Sequence, residues 1–188
     1  MWTSRLFQVV YSFALFYLTF QMIVLVHPSY EPGQWNVGVF LPAGTKLISI
    51  LLFGVWGAIG NFFGTIWRIS SFMQGVSLEL VVAFSFFGNL AQFLGVSYCV
   101  KYFKIDHQLG NLRFFHIPIL AVIGSGCYAF FAVLVLLATR IIPSDGYLNL
   151  ASQIFLNGLL GGLVTIAALA FGLQNFGIVR AIIRRLTS

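Results

Sequence analysis

Lys46 is the residue whose chemistry stands out most from its surroundings, because the aliphatic run around it, FLPAGTKLISILLFG, carries no other charge. An ammonium at the centre of a membrane helix costs about 2.5–3.5 kcal/mol on insertion scales, so it needs a partner, a wet cavity or a stem that reaches the surface. Asn61, Glu79, Asn89 and Asn157 are its candidate partners within the chain, and Gln92 belongs to the same set of polar groups in apolar surroundings. An anionic small molecule, or a carboxylate on another membrane protein, would serve equally well. If instead the helix starts late, near Leu41, the ammonium snorkels to the outer surface. Sequence alone leaves both readings open.

The polar positions fall on single helical faces. Ser85, Asn89 and Gln92 recur at i, i+4 and i+7 with Gly88 and Gly95 beside them; Gln153, Asn157, Gly161, Thr165 and Ala168 form a second stripe, and Gln8, Ser12 and Thr19 a weaker third. Such stripes line a ligand cavity, or they are seams where small residues and hydrogen-bonded amides let helices pack closely. The pairs Gly60/Gly64 and Gly158/Gly162 have the small-xxx-small spacing of seams.

Catalytic groups are sparse. The four carboxylates Glu31, Glu79, Asp106 and Asp145 fall at span ends or in loops, none near another in sequence. There is no HExxH, GxSxG or phosphate-loop motif. Cys99 and Cys127 have neither CxxC spacing nor a nearby histidine at ligand spacing. His116 sits at a span start, where an interfacial role fits better than proton transfer, and His27 and His107 fall in loops. We therefore expect no catalytic residue, no metal site and no cofactor. Pumps and channels usually carry in-membrane carboxylates or a filter motif, and the chain has neither.

The elements that must hold these residues follow from composition. Of 188 residues 60% are apolar and only 7% charged, against roughly 25% charged in a soluble domain. The chain cannot clothe a water-facing surface, so the lipid bilayer is its first partner. The net charge of +6 is a topology signal rather than a nucleic-acid footprint. The expected fold is an all-α polytopic integral membrane helix bundle.

Residues 6–26, 78–100, 115–139 and 148–171 are each long enough to cross the bilayer. The stretch 37–67 lies between the roughly 20 residues of one span and the 40 of two. It reads as a broken hairpin turning near Gly54-Val55-Trp56-Gly57, with a second arm continuing past Arg68 to Met73, or else as one tilted helix. The hairpin gives six spans and the single helix five. Six places Arg5 on the same side as Lys101, Lys104, Arg113, Arg180, Arg184 and Arg185, leaving Arg68 and Arg140 opposite. By the positive-inside rule the first group is cytoplasmic, with both termini. Trp2 and Trp56 then fall at the inner interface and Trp35 and Trp67 at the outer one, which favours six. Residues 1–173 form the bundle. The tail, 174–188, sets Ile178, Val179, Ile182, Ile183 and Leu186 opposite Arg180 and Arg184, and with Arg185 it reads as a membrane-surface helix or a basic stop.

VFLPAGTKL at 39–47, LLFGVWGAIGNFFG at 51–64 and FLNGLLGG at 155–162 resemble the membrane-associated sensor domain found at the N-terminus of bacterial histidine kinases and diguanylate cyclases. That family shares the Pro-small-Gly entry to an aliphatic helix, a Gly and aromatic break, and a second Gly-ended helix. Its members have more spans and a cytoplasmic output domain. The resemblance implies a free-standing, shortened relative in the bacterial inner membrane, signalling through a separate membrane protein. Length, charge and span number are also similar to the substrate-binding membrane subunits of energy-coupling-factor vitamin transporters, a likeness of architecture only. The function expected is a non-enzymatic sensor-like or accessory subunit that binds another membrane protein or a small ligand through its polar stripes; the competing reading is a transporter subunit capturing solute from outside.

Overall fold

A computed structural model of the chain describes residues 2–26, 40–72, 75–106, 109, 111–140 and 146–175. They form six helices: α1 (Trp2–Val26), α2 (Leu41–Phe53), α3 (Val55–Phe72), α4 (Leu78–Tyr102), α5 (His116–Ala138) and α6 (Tyr147–Asn175). The protein is an all-α membrane bundle. Arg180, Arg184 and Arg185, and with them the surface-helix reading of the tail, lie outside the described residues, as do His27, Glu31, Trp35, His107 and Asp145.

Six full spans is the expectation that needs correcting. Among the described residues four helices are long and apolar enough to cross a membrane, within α1, α4, α5 and α6. The hairpin between them is real, but its first arm, α2, has 13 residues and rises about 20 Å, short of the roughly 30 Å hydrocarbon core. Its second arm, α3, is long enough but carries Arg68 and Asn61. The full crossings number four to five. The cause is the break at Gly54, which divides one apolar run into two arms instead of supplying two complete spans.

Local chemistry explains the hairpin. Pro42 stands in the first turn of α2, where its missing N–H costs nothing. Gly54 adopts φ 57° and ψ −128°, a conformation a side chain would strain, and its N–H closes on the Ile50 carbonyl at 2.9 Å. The next helix folds straight back, and Gly57 lets the α3 backbone rest on the Ser49 carbonyl. At α4, Ser77 accepts from the Leu80 N–H at 3.4 Å, while Glu79 in the first turn and Lys101 in the last complement the helix dipole.

The short helix is the centre of the molecule. Every residue of α2 from Pro42 to Phe53 is buried, and α1, α3, α4, α5 and α6 all touch it. Leu47, Ile50 and Leu51 pack with Val96, Leu120, Ala121 and Ile166, and a second cluster joins Ile69, Leu80, Val81, Phe84, Ala132 and Leu136. Large apolar side chains such as Leu18, Leu94, Phe130, Phe131 and Val164 remain exposed around the outside, as a lipid-facing surface requires.

Contacts fix the helix directions. The Arg5 guanidinium lies 5.3 Å from the Trp56 ring centroid and Tyr17 meets Trp67 at 4.6 Å, so α1 and α3 run parallel. Tyr11 meets Phe53 and Thr19 meets Thr45, so α2 runs opposite. Gly158 faces Ser125 and Ala43, and Gly162 faces Ala121 and Leu47, making α6 parallel to α2 and antiparallel to α5. Arg5, the Gly54 turn, the α4–α5 loop and the C-terminal half of α6 therefore share one end of the bundle.

Candidate functional site

Lys46 is only 3% exposed. The snorkelling reading fails, because α2 is enclosed by its neighbours and the stem has no surface to reach. Its ammonium sits 4.0 Å from the Tyr128 ring centroid and 5.4 Å from that of Phe16, placements in which an aromatic quadrupole partly offsets lost hydration. Among the described residues no carboxylate pairs with it. Asn61 donates to the Lys46 backbone carbonyl at 3.0 Å, so it serves the peptide and not the ammonium.

The ammonium borders a cavity of about 40 Å³, walled by Phe40, Ala43 and Lys46 from the start of α2, Arg68 from α3, Gln92 from α4, Ser125 and Tyr128 from α5, and Ile154, Asn157 and Gly158 from α6. It lies in the half of the bundle away from Arg5, the half that holds the first turns of α2 and α6. The Arg68 guanidinium lies 4.6 Å from the Phe40 ring centroid and 5.3 Å from that of Phe20. Gln92 is 1% and Ser125 4% exposed, yet the Gln92 Oε1 and the Ser125 Oγ have no hydrogen-bond partner. A buried polar atom left unmatched costs about 1–3 kcal/mol, and Ser49, Asn61, Ser85 and Asn89 also carry one; Gln92 and Ser125 differ from these in lining the cavity.

The stripes read from sequence divide between site and seam. Asn89 donates to the Ser85 carbonyl at 2.6 Å and to the Thr65 hydroxyl at 3.2 Å, and Thr65 donates back to the Asn61 carbonyl at 2.8 Å. Asn61 and Asn89 are thus struts joining α2, α3 and α4. Asn157 serves both purposes: its carbonyl accepts from the Phe40 N–H at 3.1 Å, and the residue also lines the cavity. Gly161 and Thr165 are seam, since a Cβ at Gly44 would lie 2.6 Å from the Gly161 carbonyl oxygen. Gly60 and Gly64 bring α3 against Val9, Ser12 and Phe16 of α1.

Glu79 is not brought to Lys46. It is exposed in the first turn of α4, and the thirteen positions between it and Gln92 separate it from the cavity by about 20 Å along the helix. His116 is buried and ties the preceding loop to its helix, its Nδ1 accepting from the Arg113 N–H at 3.0 Å. Compared with protein-family models, with curated proteins and with solved structures, the chain matches none.

Sequence reasoning missed Arg68, Ser125 and Tyr128. Arg68 reads from sequence only as an outer-side charge on the second arm of the hairpin, and that arm does run past it, to Phe72. A signal for the α5 pair was present: Gly124-Ser125-Gly126 is a small, polar break in an otherwise apolar span, with Tyr128 less than one turn later.

Proposed function

We propose that this protein is a non-enzymatic membrane recognition subunit, sensor-like or accessory, whose binding site is the cavity at Lys46. The observation that carries the reading is a lysine ammonium inside the bundle, unpaired with any described carboxylate, at a cavity that also receives two unmatched polar side chains. A purely structural core would gain by replacing such a charge with an aliphatic group. The resemblance of the α2–α3 hairpin and of 155–162 to the bacterial sensor domain agrees with this, as the same segments wall the site. On this reading the end bearing Arg5, Lys101, Lys104 and Arg113 faces the cytoplasm of a bacterial inner membrane and the cavity lies toward the outer half.

Cavity size favours recognition of a small group over capture of a vitamin-sized solute, because sites for drug-sized ligands occupy about 300–1,000 Å³. Nucleophilic chemistry finds no support either: among the described residues Ser125 has no histidine at the cavity to activate it.

Purification in mild detergent followed by mass spectrometry of whatever accompanies the protein tests the proposal. We expect a stoichiometric membrane protein or small molecule with the wild type that is lost from Lys46→Met. A companion retained in full by Lys46→Met would overturn it, and a co-purifying ATPase module would bring the transporter reading forward.

A further inference from the structure

We infer that the cavity at Lys46 receives the carboxylate group of a short-chain organic acid. This rests on the recognition reading above and names the chemistry of its guest. A carboxylate is acceptor-only and offers about four lone-pair sites on two oxygens. The cavity presents a matching set of donors: the Lys46 ammonium, the Ser125 hydroxyl and the Gln92 amide. The Ser125 Oγ has no partner within the bundle. The Gln92 amide has an unmatched oxygen as oriented, and a half-turn of its terminal torsion points the NH₂ inward instead.

Charge and size narrow the guest further. One negative charge neutralises the Lys46 ammonium, for which the described residues provide no counter-ion. A buried water needs about 10–15 Å³, so a cavity of 40 Å³ admits a group of two or three heavy atoms rather than an extended ligand. The lining also includes the apolar side chains of Phe40, Ala43 and Ile154, which suit the first carbons of an alkyl chain. A hydrated halide would gain nothing from them.

The same headgroup could come from a free short-chain acid or from a fatty acid whose tail lies in the bilayer. The purified protein in detergent, titrated with acetate, butyrate and oleate against a chloride control, is followed by its thermal unfolding midpoint and by the ¹³C carboxylate signal of labelled acid. We expect a saturable rise in the midpoint with carboxylate. Affinity should fall about tenfold or more in Lys46→Met, as loss of a charged hydrogen bond predicts, and less in Ser125→Ala. Lys101→Met should bind as the wild type does. Response to butyrate marks a free acid as the guest; response to oleate alone marks a membrane fatty acid, with the carboxylate assignment intact.

No saturable response to any of the three acids, an equal response to chloride, or undiminished binding by a folded Lys46→Met would overturn the inference. Lys46→Gln, which keeps a polar head without the charge, stands in should the Met variant not fold. If carboxylates fail while a companion still co-purifies in a Lys46-dependent way, this inference falls and the recognition reading stands.

Discussion

Two polar regions lie side by side in the interior, and they differ in whether their side chains border a cavity. In the Asn61–Thr65–Asn89 relay each side chain donates to a group on the same or a neighbouring helix, at 2.6–3.2 Å. The Oδ1 atoms of Asn61 and Asn89 are nonetheless without a partner, as are the Gln92 Oε1 and the Ser125 Oγ near Lys46, but Gln92 and Ser125 line the cavity and the relay residues do not. Burial is similar in both. The contrast shows that being polar, buried and incompletely bonded does not mark a site; bordering a cavity beside a buried charge does. The relay locks α2, α3 and α4 together so that the cavity keeps its shape.

Disturbing the frame that holds both regions should have the largest effect. Gly44→Val drives a side chain into Thr165 and the Gly161 carbonyl and should cost about 3 kcal/mol, as overpacking does at its upper range, measured by denaturant unfolding in detergent. Lys46→Met removes a charge whose placement in a membrane helix costs about 2.5–3.5 kcal/mol; without a guest the variant should be more stable by about 2 kcal/mol, read as a raised unfolding midpoint. A loss of stability on that substitution would mean that Lys46 is structural. Asn89→Ala breaks the relay and should destabilise by about 1–2 kcal/mol, seen as faster amide exchange in α3 and α4. Gln92→Leu, a substitution in the region that borders the cavity, should change stability by less than about 0.5 kcal/mol while weakening ligand or partner binding. Equal costs for Asn89→Ala and Gln92→Leu would erase the distinction between the two regions.

Much of the scaffold was legible before the structure. The four span-length helices begin and end within a few residues of the apolar runs that announce them, because a membrane helix must be apolar over a fixed length. The turn at Gly54 was legible for a different reason, since glycine clustered with an aromatic inside an apolar run marks a break. Six complete spans were not borne out, because hydropathy cannot show that a short apolar helix is buried on every side rather than crossing. At the site, Lys46, Gln92 and Asn157 were named from sequence and do line the cavity. Asn61 and Asn89 were named for the same reason but bond elsewhere, and Glu79 is a helix-start residue.

By itself the sequence determined the solvent and the secondary structure: so apolar a chain must live in lipid, and lipid admits only helices or closed barrels. It also determined which polar groups would have to be explained. Only the tertiary structure decided that α2 is the hub, that Lys46 cannot reach a surface, and that Arg68, Ser125 and Tyr128 from other helices meet it at one cavity. The reason is physical. Periodicity reports the face a residue occupies on its own helix, whereas hydrogen-bond satisfaction depends on what neighbouring helices bring to that face, and the close glycine seams set that distance.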